Sequence, residues 1–217
     1  MAKVLYVVAH PLDEERSYSL SMGRAFIDSY KKVSPEDEIV ELNLYKEYIP
    51  EIDADILEGW AHLGAGGSFG ELRSEQQTKI ARINELTDQF IDADKYVFVS
   101  PLWNYTIPAR FKAYIDTFLI ARKTFKYTEN GSVGLMTGKR AVHLQARGGI
   151  YTVGPMKDAE HGDSLLRTAL DLIGVELETI VAEGHAYQPE LAEKIKHDAI
   201  ENAVSAAERF ANDLVKS

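Results

Sequence analysis

Residues 3–9 read Lys-Val-Leu-Tyr-Val-Val-Ala (KVLYVVA), and His10-Pro11 ends the run. An unbroken apolar stretch of this length, stopped by proline, reads as a β-strand buried on both faces. Such strands belong in parallel sheets, because helical crossovers cover the two sides. YVFVS (96–100), cut by Pro101, repeats the pattern, and RAVHLQA (140–146) and VELETIVA (175–182) supply two further strands. EIVELNL (38–44) instead alternates polar and apolar residues, as a strand at a sheet edge does.

Helical patterns fill the gaps. Leu20, Gly23, Ile27 and Tyr30 share one face of a helix over 19–32, which Ser34-Pro35 stops. A second helix spans 74–91 with Ser74 as its N-cap. A third spans 108–121, with Pro108 at its first position and Phe111, Tyr114 or Ile115, and Phe118 on its apolar stripe. Others cover 163–173, ended by Gly174, and 189–215, opened by Pro189. Asn130-Gly131 marks a hairpin within 125–136. Residues 45–72 lack a clean period and include GAGGSFG (64–70), so they read as a long, partly mobile connection. Five strands joined mostly by helix-length crossovers make an α/β protein with a doubly wound, mainly parallel five-stranded sheet in the order 2-1-3-4-5.

The chain has 217 residues, enough for a single domain over 1–217 with its own core. No apolar run approaches the ~18 residues of a membrane span, and 3–9 is too short for a signal-peptide core. Cysteine is absent, which excludes disulfides and thiolate chemistry and fits a cytoplasmic location. The formal net charge is −10 with no basic tract, which argues against nucleic acid and anionic membranes as partners. The six histidines show no metal-ligand spacing, so no metal site is expected.

In a sheet of this order, ligands bind at the carboxyl ends of the strands near the switch point. The loops there read AHPLDEERSYS (9–19), SPLWNYTIP (100–108) and ARGGIYTVG (146–154). Ser17, Tyr18 and Ser19 open the first helix, where hydroxyls and unpaired amides make an anion site and Arg16 adds charge; the same serines serve equally as plain helix caps. His10 ends the first strand at the crevice. Trp103, Asn104 and Tyr105 suit the face and edge of a planar heterocycle, or else the aromatics pack in the core. Gly148-Gly149 allows close backbone approach to a ligand, with Arg147 as a nearby cation. His143 lies mid-strand and reads as a satisfied core or edge residue. There is no Walker loop, no dinucleotide glycine pattern and no GxSxG elbow.

At these loops the chain resembles the FMN-dependent NADH:quinone oxidoreductases that also reduce azo compounds, the bacterial azoreductase family. The resemblance runs the length of the chain and is most specific at SPLWNYTIPARFKAYIDTF (100–118), TFKYTENGSVGLMTGKRA (124–141), ARGGIYTVGP (146–155) and VAEGHAY (181–187). It implies a flavodoxin-like fold, a homodimer whose second subunit contributes to the acceptor pocket, and FMN bound with its phosphate at Ser17, Tyr18 and Ser19. It places the flavin ring against Pro101, Leu102, Trp103, Asn104 and Tyr105, and its polar edge near Ala146, Arg147, Gly148 and Gly149. Where many azoreductases carry serine, this chain has His10, closer to the larger quinone reductases. NADH or NADPH would be the hydride donor in a ping-pong reaction, and quinones and aromatic azo compounds the acceptors. Tyr105, Tyr127 and Tyr151 are candidate walls of the acceptor pocket, and no side chain need act as an obligatory acid or base. The alternatives are a chromate, nitro or general flavin reductase on the same scaffold, or a flavodoxin-like electron carrier. A receiver domain would end its third strand in aspartate, where this chain has Ser100-Pro101.

Overall fold

The apolar runs form the middle of one sheet. In the structure, a computed structural model that describes residues 1–212, β1 (Lys3–Val8) pairs with β2 (Glu38–Asn43) on one side and β3 (Lys95–Pro101) on the other. Every residue of β3 is buried, as its composition demands. Two short strands, β4 (Phe125–Thr128) and β5 (Gly131–Gly134), form the antiparallel hairpin at Asn130-Gly131 and stay outside the main sheet. β6 (Arg140–Arg147) and β7 (Glu176–Glu183) complete the parallel sheet. Its order is therefore β2-β1-β3-β6-β7 in chain numbering rather than 2-1-3-4-5, because the hairpin strands intervene between the third and fourth central strands.

Helices cover both faces. α1 (Tyr18–Val33) packs on one side with the C-terminal helix, and Ser17 caps α1 by accepting from Leu20 N–H at 3.3 Å. Residues 45–72 are not one open connection, since 54–64 form α2 (Ala54–Gly64), capped by Asp53. α3 (Ser74–Asp92) begins one residue earlier than the capping expectation, with Arg73 at the N-cap and Ser74 already helical. α4 (Ala109–Phe118) follows Pro108, which is the N-cap rather than the first helical residue, and ends before 121. α5 (Gly162–Ile173) ends at Gly174, whose φ of +86° suits glycine. A 3-10 turn over Pro189–Leu191 leads into α6 (Ala192–Asn212); the expected extension to 215 lies outside the described residues.

α3, α4 and α5 close the second face over an apolar core. Phe90 stands at its centre, stacked 4.2 Å from Tyr96 and 4.1 Å from Phe118. The hairpin is seated on the end of α5. A Cβ on Gly134 would fall 2.3 Å from the backbone carbonyl carbon of Ile173, where no side chain can move aside. Gly134→Ala is therefore expected to destabilise the protein by about 1–3 kcal/mol through overpacking. Urea unfolding checks this, and wild-type stability would mean that the hairpin base does not hold this contact.

Candidate cofactor and acceptor site

The loops after β1, β3 and β6 meet at one end of the sheet, because all three strands run the same way. They enclose a cleft of about 270 Å³. Arg16, Ser17 and Tyr18 line it from the first loop, Pro101, Leu102 and Trp103 from the second, and Ala146 and Gly148 from the third. His10 and His185 complete it. A larger hollow of about 800 Å³ lies beside the first loop and shares His10 and Arg16 with the cleft.

The first loop supplies an anion-binding geometry. Ser17 and Ser19 are buried, and their hydroxyl oxygens lie 3.2 Å apart. Two hydroxyls have two protons, and only one is needed for their mutual bond. The first-turn amides of α1 have no partner within the helix. Arg16 lines the cleft but also pairs with Asp13 at 2.8 Å, so its charge is partly answered. His10 accepts from Leu12 N–H through Nδ1 at 3.1 Å, and its ring lies 5.5 Å from that of Trp103. Burial lowers the His10 pKa, with Asp13 acting weakly the other way, which leaves a neutral ring with Nε2–H as donor.

The second loop is a strained two-residue turn. Trp103 and Thr106 exchange backbone hydrogen bonds at 2.9 and 3.1 Å, with Asn104 at φ +48° and Tyr105 at φ +70° between them. Asparagine tolerates this region, whereas a tyrosine there costs about 1–2 kcal/mol. The strain holds Trp103 at 40% and Tyr105 at 50% exposure, so the aromatics are not core residues. Tyr105 meets Tyr151 edge-on at 6.4 Å.

A family model for the flavodoxin-like fold matches residues 2–207. The chain is 54% identical to the FMN-dependent NADH:quinone oxidoreductase of Bacillus pumilus over 211 residues, 97% of this chain and 100% of that relative. It is 53% identical to the enzyme of the same name from Geobacillus kaustophilus, with the same coverage. A crystal structure of azoreductase from Bacillus anthracis superposes with a TM-score of 0.91 at 40% identity, covering 97% of this chain and 100% of that one. A second Bacillus anthracis structure, an FMN-dependent NADH-azoreductase in complex with FMN, gives 0.90 at 37% identity over 98% of this chain and 100% of that one. The chain belongs to the FMN-dependent NADH:quinone oxidoreductase family.

Within this family member, several residues stand where the sequence did not place them. Arg147 is not a ligand-facing cation. It is buried, its Nε donates to Gln145 Oε1 at 2.7 Å, and its guanidinium lies 3.8 Å from Glu160 and 3.6 Å from Glu183. A cation held between two carboxylates braces the third loop from behind. Gln145 Nε2 is buried without a hydrogen-bond partner among the described residues. Tyr127 stands 77% exposed on the hairpin, packed edge-on against Phe125, and does not line the cleft of its own chain. Ser19, Asn104, Tyr105, Gly149 and Tyr151 do not line the cleft either; the Gly149 carbonyl accepts from Gly184 N–H at 3.0 Å, and Tyr151 N–H donates to Glu183 at 3.0 Å.

The structure also reveals a row that the spacing concealed. Ser100 Oγ lies 2.9 Å from His143 Nε2, and His143 Nδ1 lies 3.0 Å from Asp163 Oδ1. Serine, histidine and acid in that order resemble a hydrolase triad. Ser100 and His143 have no exposed surface, however, so no substrate reaches the hydroxyl. The row is a structural tie between β3, β6 and α5 beneath Pro101. Among the described residues, no group of three or more His, Cys, Asp or Glu could hold a metal ion, and no helix is long and apolar enough to cross a membrane.

Proposed function

We propose that the protein is an FMN-dependent NAD(P)H oxidoreductase that reduces quinones by two electrons and cleaves aromatic azo compounds to amines in two successive two-electron turnovers, each consuming one reduced nicotinamide. The observation that carries this reading is the convergence of three strand-end loops on one cleft, which brings the Ser17 hydroxyl and the start of α1 together with Pro101, Leu102 and the Trp103 ring. The names of the close relatives support the same reaction.

The residues present fit the cofactor. Ser17 and Tyr18 would hold the phosphate, with Ser19, which has no exposed surface and does not line the cleft, bonded behind them to the Ser17 hydroxyl. Pro101, Leu102 and Trp103 would wall the ring, with Asn104 at its edge, and Ala146 and Gly148 would bring backbone close to its polar side. Bound FMN supplies the redox chemistry by accepting hydride from a reduced nicotinamide and returning two electrons to an acceptor. His10 keeps a ring N–H beside Trp103 where it can donate to a bound molecule without carrying charge. Arg147, neutralised by Glu160 and Glu183, acts through the backbone that it fixes rather than through its charge. Tyr105 and Tyr151 would border the acceptor. Tyr127 would reach an acceptor only from the second subunit of a homodimer, which this reading includes, in the cytoplasm.

Two measurements test the proposal. Purified protein, or protein reconstituted with FMN, should show flavin absorbance near one FMN per chain. Donor and acceptor should then occupy the same cleft in turn, giving parallel double-reciprocal plots at several quinone concentrations. A folded protein that stays colourless after reconstitution would sink the reading. Intersecting lines would show that both substrates are held at once, contrary to a single shared cleft.

A further inference from the structure

The turn after β7 brings an unassigned residue to the proposed phosphate end of the cleft. Gly184 takes a φ of +89°, and the chain then places His185 over the first residue of α1. The His185 ring stacks on Tyr18, with centroids 4.2 Å and planes 15° apart. It lines the cleft together with Arg16, Ser17 and Tyr18. Its Nδ1 is buried and has no hydrogen-bond partner among the described residues. An orphaned polar atom costs free energy in the protein alone and marks a place where a polar ligand is gained.

The charges around the ring favour an anion beside it. Burial lowers the His185 pKa, and no acid offsets that effect, so the ring is neutral near pH 7. From the first loop it faces Arg16, paired to Asp13, and neutral His10. From α6, Lys196 Nζ lies 5.7 Å from the Tyr18 ring, and Glu193 acts on the Tyr18 hydroxyl. From β7, Glu183 is engaged by Arg147 and by the amides of Tyr151 and Thr152. Among the described residues, no carboxylate is paired to the imidazole.

We propose that His185 is a proton-linked ligand of the FMN phosphate, neutral in the protein alone and taking up one proton from solvent as the dianion binds beside Ser17. The inference rests on the FMN reading. Its sign follows from linkage. A dianion next to the ring favours the imidazolium, so binding consumes a proton, and affinity falls as pH rises through the pKa of the bound form.

Calorimetric titration of the apoprotein with FMN near pH 7.5, where the free phosphate is mainly dianionic, tests it in two buffers of different ionisation enthalpy. Wild type should take up about half a proton or more per FMN. Riboflavin, which has the ring but no phosphate, should bind without uptake. His185→Gln keeps a polar amide but cannot titrate. It should lose the uptake, bind FMN about tenfold more weakly near pH 6.5, and leave riboflavin affinity unchanged. His10→Gln, the control for the other histidine of the cleft, should retain the uptake. Equal proton uptake in wild type and His185→Gln, or equal uptake with FMN and riboflavin, would overturn the assignment while leaving FMN binding intact. Failure of the folded wild type to bind either flavin would overturn the FMN reading and this inference with it.

Discussion

Replacing Ser17 with aspartate is expected to weaken FMN binding about a hundredfold while the apoprotein melts near its wild-type temperature. Ser17 caps α1 by accepting from Leu20 N–H, and aspartate is an equally good cap, so the helix keeps its first turn. Aspartate cannot donate to a phosphate, and it places a like charge beside one. Loss of a charge-assisted hydrogen bond costs about 1.5–3 kcal/mol, and the repulsion adds to it. About 2.8 kcal/mol corresponds to a hundredfold change in Kd. Ser19 is not a suitable partner in this experiment, because it has no exposed surface and a carboxylate there would threaten the fold itself. Fluorescence titration of apoprotein with FMN reads the effect, and unchanged affinity would return Ser17 to the role of a plain helix cap.

The second large effect concerns stability. Asp163→Ala is expected to cost about 3–5 kcal/mol, because it strips a buried network of its only carboxylate. Asp163 accepts from His143 at 3.0 Å, from the Thr179 hydroxyl at 2.6 Å and from Arg167 at 3.2 Å. Without it, the fully buried His143 ring keeps an N–H with nothing to receive it. Asp163→Asn retains an acceptor and should lose less. Burial alone would push the Asp163 carboxyl up, but the bonds from His143 and Thr179 and the charge of Arg167 outweigh it and hold the carboxyl well below the usual range. A depressed folded value means that the stabilisation is fully present above the unfolded carboxylate's pKa of about 3.9 and drains away as pH falls through the folded value. The stability gap between wild type and Asp163→Ala should accordingly narrow below about pH 4. Urea unfolding across pH checks both statements, and a gap under about 1 kcal/mol at neutral pH would show that the network contributes little.

The central strands were legible because burial on both faces writes itself into composition. β1 and β3 cannot be read as anything exposed, and parallel pairing follows from the helices between them. α2 was not legible for the opposite reason. Only Ile56 and Gly59 are buried in it, Leu57 faces solvent, and it ends in Gly64 with Ala65-Gly66-Gly67 directly after, so its apolar period is blurred. Of the expected cofactor residues, Ser19, Asn104, Tyr105, Arg147 and Gly149 do not line the cleft, since a loop read from the sequence does not say which way each of its residues turns. Ser17, Tyr18, Pro101, Leu102, Trp103, Ala146 and Gly148 all line the cleft. His185 belongs with them but sits on a fourth loop, and nothing in GHAY marks it apart from its position after a strand.

The sequence by itself determined the layers, the direction of the main strands and the end of the sheet where the strand-end loops form a cleft, since these depend on local periodicity and on the hand of crossovers. Tertiary structure decided what each polar side chain does there. Arg147 is a cation in the sequence and a neutralised brace in the fold, because Glu160 and Glu183 come from segments 13 and 36 residues away. Ser100, His143 and Asp163 spell a catalytic triad by type, and only the burial of Ser100 and His143 makes the row a structural tie. Burial and pairing are properties of three-dimensional neighbours, and neighbours across a parallel sheet are distant in the chain.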